Sequence, residues 1–483
     1  MTALSSRAPE TAGLKRGLGL VASMAVIIAN VIGTGVFVKA RVMTCNVAEP
    51  WLVMLAYVLG GVLALFGSLA FAELSTMMPH AGGAMNYLRA AYGRRWGFLY
   101  GWTEFVAGSG ASIAAIAILF VVFLNDVVGG TMPPVALRVL PLVTMAVAVG
   151  LNLLPVRQSG RLLTVLTGAK VAFVVGIGVA AFVWGDGSWV HFGQSGSAAA
   201  CADVPASARF GLAGFGAAMI GAIWSYQGWD LLVLVAGEVR RPSWTLPRAL
   251  VGAAGLVTVL YLFVNAAYFF VLAPHDVASV STESSVAREV MVRLFGAGVA
   301  SLLAAGLMLS SFGSLYAGVL AVPRVAFGLA QEGLLPAALA RTSPATRVPR
   351  ASVLAFGAWC LVLVASGTFE ILSDISVVVV LAFLGLTVST VFMLRRTMPD
   401  AERPVRAWGY PVVPALYLLA VVLLIGNTFV ATPGRALAGF GLVALGLPVY
   451  AYYARRRPPD DDLAEALPSE TPDEALPVLS PTR

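Results

Sequence analysis

Long apolar runs recur from residue 18 to residue 454, and no polar block between them is long enough to fold as a separate domain. A helix that crosses a bilayer needs about 20 mostly apolar residues. Runs of this kind lie near 18–38, 50–72, 96–124, 133–153, 161–184 and 208–236, and a second set lies near 250–273, 296–322, 351–366, 371–394, 411–430 and 436–454. The pattern predicts an all-α polytopic membrane protein of about 12 transmembrane helices, with a transmembrane domain over 18–454 and short tails at 1–17 and 455–483.

Composition points the same way. The chain is 59% hydrophobic and 11% charged, whereas an average soluble domain is roughly half apolar and a quarter charged. The basic first segment is not followed by a small-residue cleavage site, so no cleaved signal peptide is expected. The segment after Arg457 is rich in Pro, Asp and Glu and is expected to be a disordered tail, inert or regulatory. Cys45, Cys201 and Cys360 are scattered, without metal-ligand spacing, and are read as unpaired thiols.

The net charge of +7 gains its meaning from topology. With the N-terminus in the cytoplasm, 23 of the 31 Lys and Arg residues fall on the cytoplasmic side, 7 fall on the other, and Lys170 stays inside a span. This is the positive-inside pattern, and a helix missed or invented early in the chain would have scrambled it. Both termini are expected to be cytoplasmic. Nucleic acid is not needed as a partner, because the charge follows one membrane face.

Two runs are interrupted by glycine at corresponding places, Gly33 and Gly35 in NVIGTGVFV and Gly228 in IWSYQGWDLLVLVAGE. Glycine costs about 1 kcal/mol relative to alanine in a helix interior. Small residues also let membrane helices pack closely, so spacing alone leaves packing and unwinding both open. If the helices unwind, they free main-chain N–H and C=O groups at a depth where only a cavity or ligand can satisfy them. The N-terminus of one half then suits a carboxylate and the carbonyl end of another suits an ammonium, the two charges an α-amino acid carries on one carbon.

Four stretches carry a resemblance: IGTGVF in helix 1, AELSTMMPHAGG after helix 2, YQGWD with GEVRRPSWTLPRAL around helix 6, and FGSLYAGVLAVPRVAFGLAQEGLLP in helix 8. From about Leu18 to Tyr453 the chain resembles the amino acid-polyamine-organocation superfamily, and within it the L-type amino acid transporter family and its bacterial relatives. The resemblance implies a leucine-transporter-like core of two inverted five-helix repeats, about 18–184 and 208–394, with helices 1 and 6 broken and two peripheral helices at 411–454. It puts a substrate carboxylate on the N–H groups of Gly33, Thr34 and Gly35, and a substrate ammonium on the carbonyls of Val31 and Trp224. Trp224 would be the outer gate, although packing is the commoner use of such a residue, and Ser225 and Gln227 would complete the site.

Lys170 lies mid-span in LLTVLTGAKVAFVVGIGV, where an ammonium costs at least about 2.5–3.5 kcal/mol. It either snorkels to an interface or is paired. The resemblance implies the second: the lysine occupies the sodium site of coupled relatives and bridges helix 5 to helix 1, so sodium is not required. Glu73 and Glu104 are read near span ends, and Asp230 and Glu238 in the second half of helix 6, as solvated or loop-paired carboxylates, with a proton path for Glu104 left open. No metal spacing, phosphate loop or serine elbow is present, so no cofactor, ATP-driven pumping or hydrolysis is expected and the chain is not read as an enzyme.

The expected function is a sodium-independent transporter, exchanging small or medium neutral amino acids in a bacterial inner membrane. The neutral side chain is argued from Gln227 and from the lack of an acidic residue beside the broken segments. Exchange follows from the resemblance, and the rivals are a proton-coupled amino acid or polyamine symporter and a transporter-like sensor. The family's mammalian members attach to an ancillary glycoprotein through a cysteine between helices 3 and 4. NDVVGGTMPP has none, so no disulfide-linked partner is expected.

Overall fold

The computed structural model describes residues 16–455 apart from 34, 81, 130, 197–200, 203, 282–283, 367–368 and 432. The expected tails lie almost wholly outside the described residues, as does Thr34. Within the described residues the regular elements are helices, and one isolated extended pairing joins Leu18 to Val239.

Eleven of these helices are long and apolar enough to cross a membrane, and the run expected at 351–366 forms a shorter apolar helix, Arg350–Ser366. Its 17 residues reach about 25 Å at 1.5 Å each, somewhat less than a hydrocarbon core of about 30 Å. Counting it as the ninth, the chain has the expected twelve spans. Large aliphatic side chains face outward, among them Leu212, Val430 and Val135. Such a belt is unfavourable in water and ordinary against lipid. The chain is a multi-pass membrane protein.

Span 1 is longer than its apolar run suggests. It comprises Leu20–Val31 and Gly35–Val47, so Lys39 and Arg41 ride on helix and not on a loop. Phe37, Ala40, Met43 and Val47 recur at helical spacing on its buried face and continue the helix past the charges. Span 2 is Pro50–Met77, span 3 is Arg94–Val106 with Ser109–Val127, span 4 is Pro134–Leu151 and span 5 is Val156–Trp184. Span 6 is Gly211–Tyr226 with Leu231–Glu238, span 7 is Pro242–Val271 and span 8 is Ala300–Ala321 with Pro323–Gln331. Span 10 is Phe369–Thr397, span 11 is Val412–Ala431 and span 12 is Pro433–Ala444 with Gly446–Ala454. The outer half of span 1 lies along span 6, span 2 along span 7 and span 3 along span 8.

Three sequence expectations are corrected. Cys45 and Cys201 are not free thiols but form a disulfide across 156 residues of sequence, between the last turn of span 1 and the connection ahead of span 6. Linear spacing cannot reveal such a pair, because the partners meet only after spans 1 to 5 have packed. Glu238 is not solvated; it is fully buried and paired at 2.9 Å with Arg324, itself fully buried in the second half of span 8. Glu104 is 2% exposed, deep in span 3 and not at its end. Glu73 does pair as expected, with Arg395 at 2.6 Å and Arg403 at 3.3 Å.

Candidate functional site

Span 1 stops being helical at Ile32, whose ψ of 74° turns the chain out of the helix, and becomes helical again at Gly35. The carbonyls released at the end of the first half find side-chain donors from three other spans. Ala29 O accepts from Lys170 Nζ at 2.6 Å and from Ser314 Oγ at 2.7 Å. Ile32 O accepts from Ser310 Oγ at 3.3 Å, and Val31 O lies 2.7 Å from the Tyr261 hydroxyl. The Gly33 N–H also folds back on Val31 O at 2.7 Å. At membrane depth such groups must be satisfied from within the protein, and here spans 5, 7 and 8 do so.

Span 6 breaks one level across. Its first half ends at Tyr226, Gln227 takes an extended conformation, and Gly228 has φ of 102°, a region a side chain strains to adopt. The Trp224 carbonyl accepts from the Gln227 N–H at 3.2 Å, and Ser225 O lies 2.8 Å from the Tyr261 hydroxyl. That hydroxyl has one proton for two carbonyls, so it bridges the broken ends of spans 1 and 6 while donating to one at a time.

The two breaks touch. A Cβ on Gly228 would stand 2.9 Å from Asn30 Cβ, and a Cβ on Gly35 would stand 2.8 Å from Ser225 Cα. Both contacts are shorter than packed carbons tolerate, so glycine here serves backbone approach as well as unwinding.

Between the breaks lies a cavity enclosing roughly 610 Å³ of space not filled by atoms. The sequence-derived residues Val31, Gly33, Gly35, Trp224, Ser225 and Gln227 all line it, together with Asn30 from span 1 and Ser109, Ser112 and Ile113 from span 3. The ammonium of Lys39 lies 4.7 Å from the centre of the Trp224 ring, within cation–π range. Gln227 Nε2 donates to Ser376 Oγ at 3.1 Å, while its Oε1 is buried without a partner.

Lys170 stands outside the cavity lining. It is 1% exposed and does not snorkel; its Nζ joins Ala29 O to Ser314 Oγ, at 2.6 and 2.8 Å, so one ammonium ties span 5 to the broken end of span 1 and to span 8.

One premise of the sequence reading fails. Acidic residues do lie beside the broken segments: Glu104 and Asp230 both line the cavity and are each 2% exposed. Glu104 accepts from the hydroxyl of Ser109, the first residue of the helix that restarts span 3, where the helix dipole favours negative charge. The argument for a neutral substrate side chain therefore loses its ground. Also missed in the sequence were Tyr261, Ser310 and Ser314; their polar groups sit inside apolar runs, but nothing local tells which carbonyl each will meet.

The profile of the family described as amino acid permease matches residues 18–450 of this chain. The serine/threonine exchanger SteT of Bacillus subtilis (strain 168) is 28% identical over 93% of this chain and 99% of its own length. The Asc-type amino acid transporter 1 of Homo sapiens is 27% identical, over 92% of this chain and 83% of its own length. The large neutral amino acids transporter small subunit 2 of Rattus norvegicus is 27% identical, over 94% and 84% respectively.

Proposed function

Since the chain belongs to the amino acid permease family, we propose that it is a sodium-independent amino acid transporter that exchanges one amino acid for another by alternating access. The observation that carries this reading is the meeting of two broken spans around one cavity deep in the bundle. A substrate carboxylate takes the N–H groups at the start of the second half of span 1, from Gly33, Thr34 and Gly35. The ammonium faces the carbonyls of Val31 and Trp224, exchanging with the internal donors these now have. Ser225 and Gln227 shape the remainder, and Trp224 closes the site. The pairing of span 1 with 6, 2 with 7 and 3 with 8 supports a core of two inverted five-helix repeats.

Lys170 supports independence from sodium. Its ammonium supplies fixed positive charge to the carbonyl end of the first half-helix, the place where a mobile cation would be needed if it were absent. The membrane is taken to be a bacterial inner membrane with both chain ends in the cytoplasm. No covalently attached partner is required, since Cys45 and Cys201 hold each other and Cys360 is buried. The chain is a carrier and not an enzyme, and no group of three potential metal ligands occurs among the described residues.

Purified protein in liposomes preloaded with unlabelled amino acid tests this. Labelled amino acid should enter by counterflow, at the same rate when sodium is replaced by choline. Uptake into empty vesicles driven by a pH gradient would instead favour a proton-coupled symporter, a reading to which the buried Glu104 and Asp230 lend weight. Binding without any flux would mean a sensor.

A further inference from the structure

The cavity that we read as the substrate site has two ends of different chemistry. Toward the breaks it offers main-chain groups matched to a zwitterion, whose charges sum to zero. Away from them it offers acceptors. Asp230 immediately precedes the helical turn Leu231–Glu238, yet its carboxylate makes no capping hydrogen bond there. It is 2% exposed and lines the cavity. Glu104 faces the same space from span 3, and the unpartnered Gln227 Oε1 adds a third acceptor.

No Lys, Arg or His is among the residues lining this cavity. The ammonium of Lys170 is committed to Ala29 O and Ser314, and that of Lys39 lies over the Trp224 ring. A carboxylate held away from water is tolerated when a cation or a strong donor set meets it. Glu104 has a hydroxyl; Asp230 has neither. The missing donor must come with the ligand.

We infer that the preferred substrate is an amino acid with a positively charged side chain, its head held by the broken spans and its distal cation by Asp230 and Glu104. This rests on the exchange reading above and adds the substrate class to it. A guanidinium or ammonium supplies several N–H donors at once, which suits two carboxylates and an amide oxygen on different spans. An anionic side chain is excluded by repulsion, and an aliphatic one would leave Asp230 without a partner.

The test uses the full chain in proteoliposomes, with counterflow of labelled arginine, lysine and ornithine set against alanine, serine and leucine. Arginine or lysine should exchange about tenfold or more faster than leucine at equal, subsaturating concentration. Asp230→Asn should lower that preference by about tenfold or more, chiefly through the half-saturation concentration, with Glu104→Gln acting in the same direction. Exchange of neutral amino acids without cationic ones would overturn the inference and leave the exchange reading standing. Accumulation of a neutral amino acid under an inward proton gradient, lost in Asp230→Asn, would assign the carboxylates to a proton and overturn it as well. Exchange of none of the six would sink both readings. If the variants fail to fold, the preference of the unmodified protein decides.

Discussion

Gly228 combines a φ of 102° with a Cβ position 2.9 Å from Asn30 Cβ, so a single added methyl meets both strain and contact. Gly228→Ala is expected to cost about 1–3 kcal/mol and to cut exchange by about tenfold or more, as is Gly35→Ala, whose new Cβ meets the main chain of Ser225. Gly255 in span 7 has no atom within 4 Å of such a Cβ and serves as the control, since Gly255→Ala should leave exchange unchanged. Counterflow on all three variants, normalised to protein that elutes monodisperse, gives the comparison; equal rates for Gly228→Ala and Gly255→Ala would contradict it. The glycines were legible in the sequence because each defies the cost of glycine in a helix. Asp230 was visible too, but its significance was not, because whether a carboxylate faces solvent or a closed cavity depends on spans 1 and 3 folding beside it.

At the scale of elements, the broken ends hold together through side chains from intact spans. Tyr261 is fully buried and reaches the freed carbonyls of both breaks. Tyr261→Phe keeps the ring and removes the hydroxyl, leaving a buried acceptor unsatisfied at a cost of about 1–3 kcal/mol. The half-saturation concentration for exchange should rise by about tenfold, and a variant with reduced melting temperature but unchanged half-saturation would show that the hydroxyl only braces the fold. Span number and order could be read from hydropathy because a bilayer fixes the length of an apolar run. The ends of span 1 could not, since Lys39 and Arg41 look like a loop until Trp224 and the rest of the bundle give the helix a reason to continue.

For the molecule as a whole, few charges are buried and most of them are paired. Arg324 and Glu238 are both fully buried, joining the second half of span 8 to the end of span 6. Arg324→Ala would leave Glu238 uncompensated and should cost about 3–5 kcal/mol, read as a large fall in melting temperature in detergent. Replacing both, with Arg324→Met and Glu238→Gln, should recover much of the loss; no recovery would mean that the arginine acts through something other than this pair.

Span 1 is fastened unequally at its two extremities. Near its start, Gly17 and Leu18 are held to the end of span 6 by hydrogen bonds of 2.8 to 3.0 Å, whereas its last turn carries the Cys45–Cys201 bond. Hydrogen bonds open and reclose within microseconds to milliseconds, but an unassisted disulfide rearranges over minutes to hours. The rod is thus bolted at one tip and only latched at the other. Whatever tilts Gly35–Val47 must drag the stretch leading into span 6 along with it, while Leu20–Val31 is at liberty to swing alone.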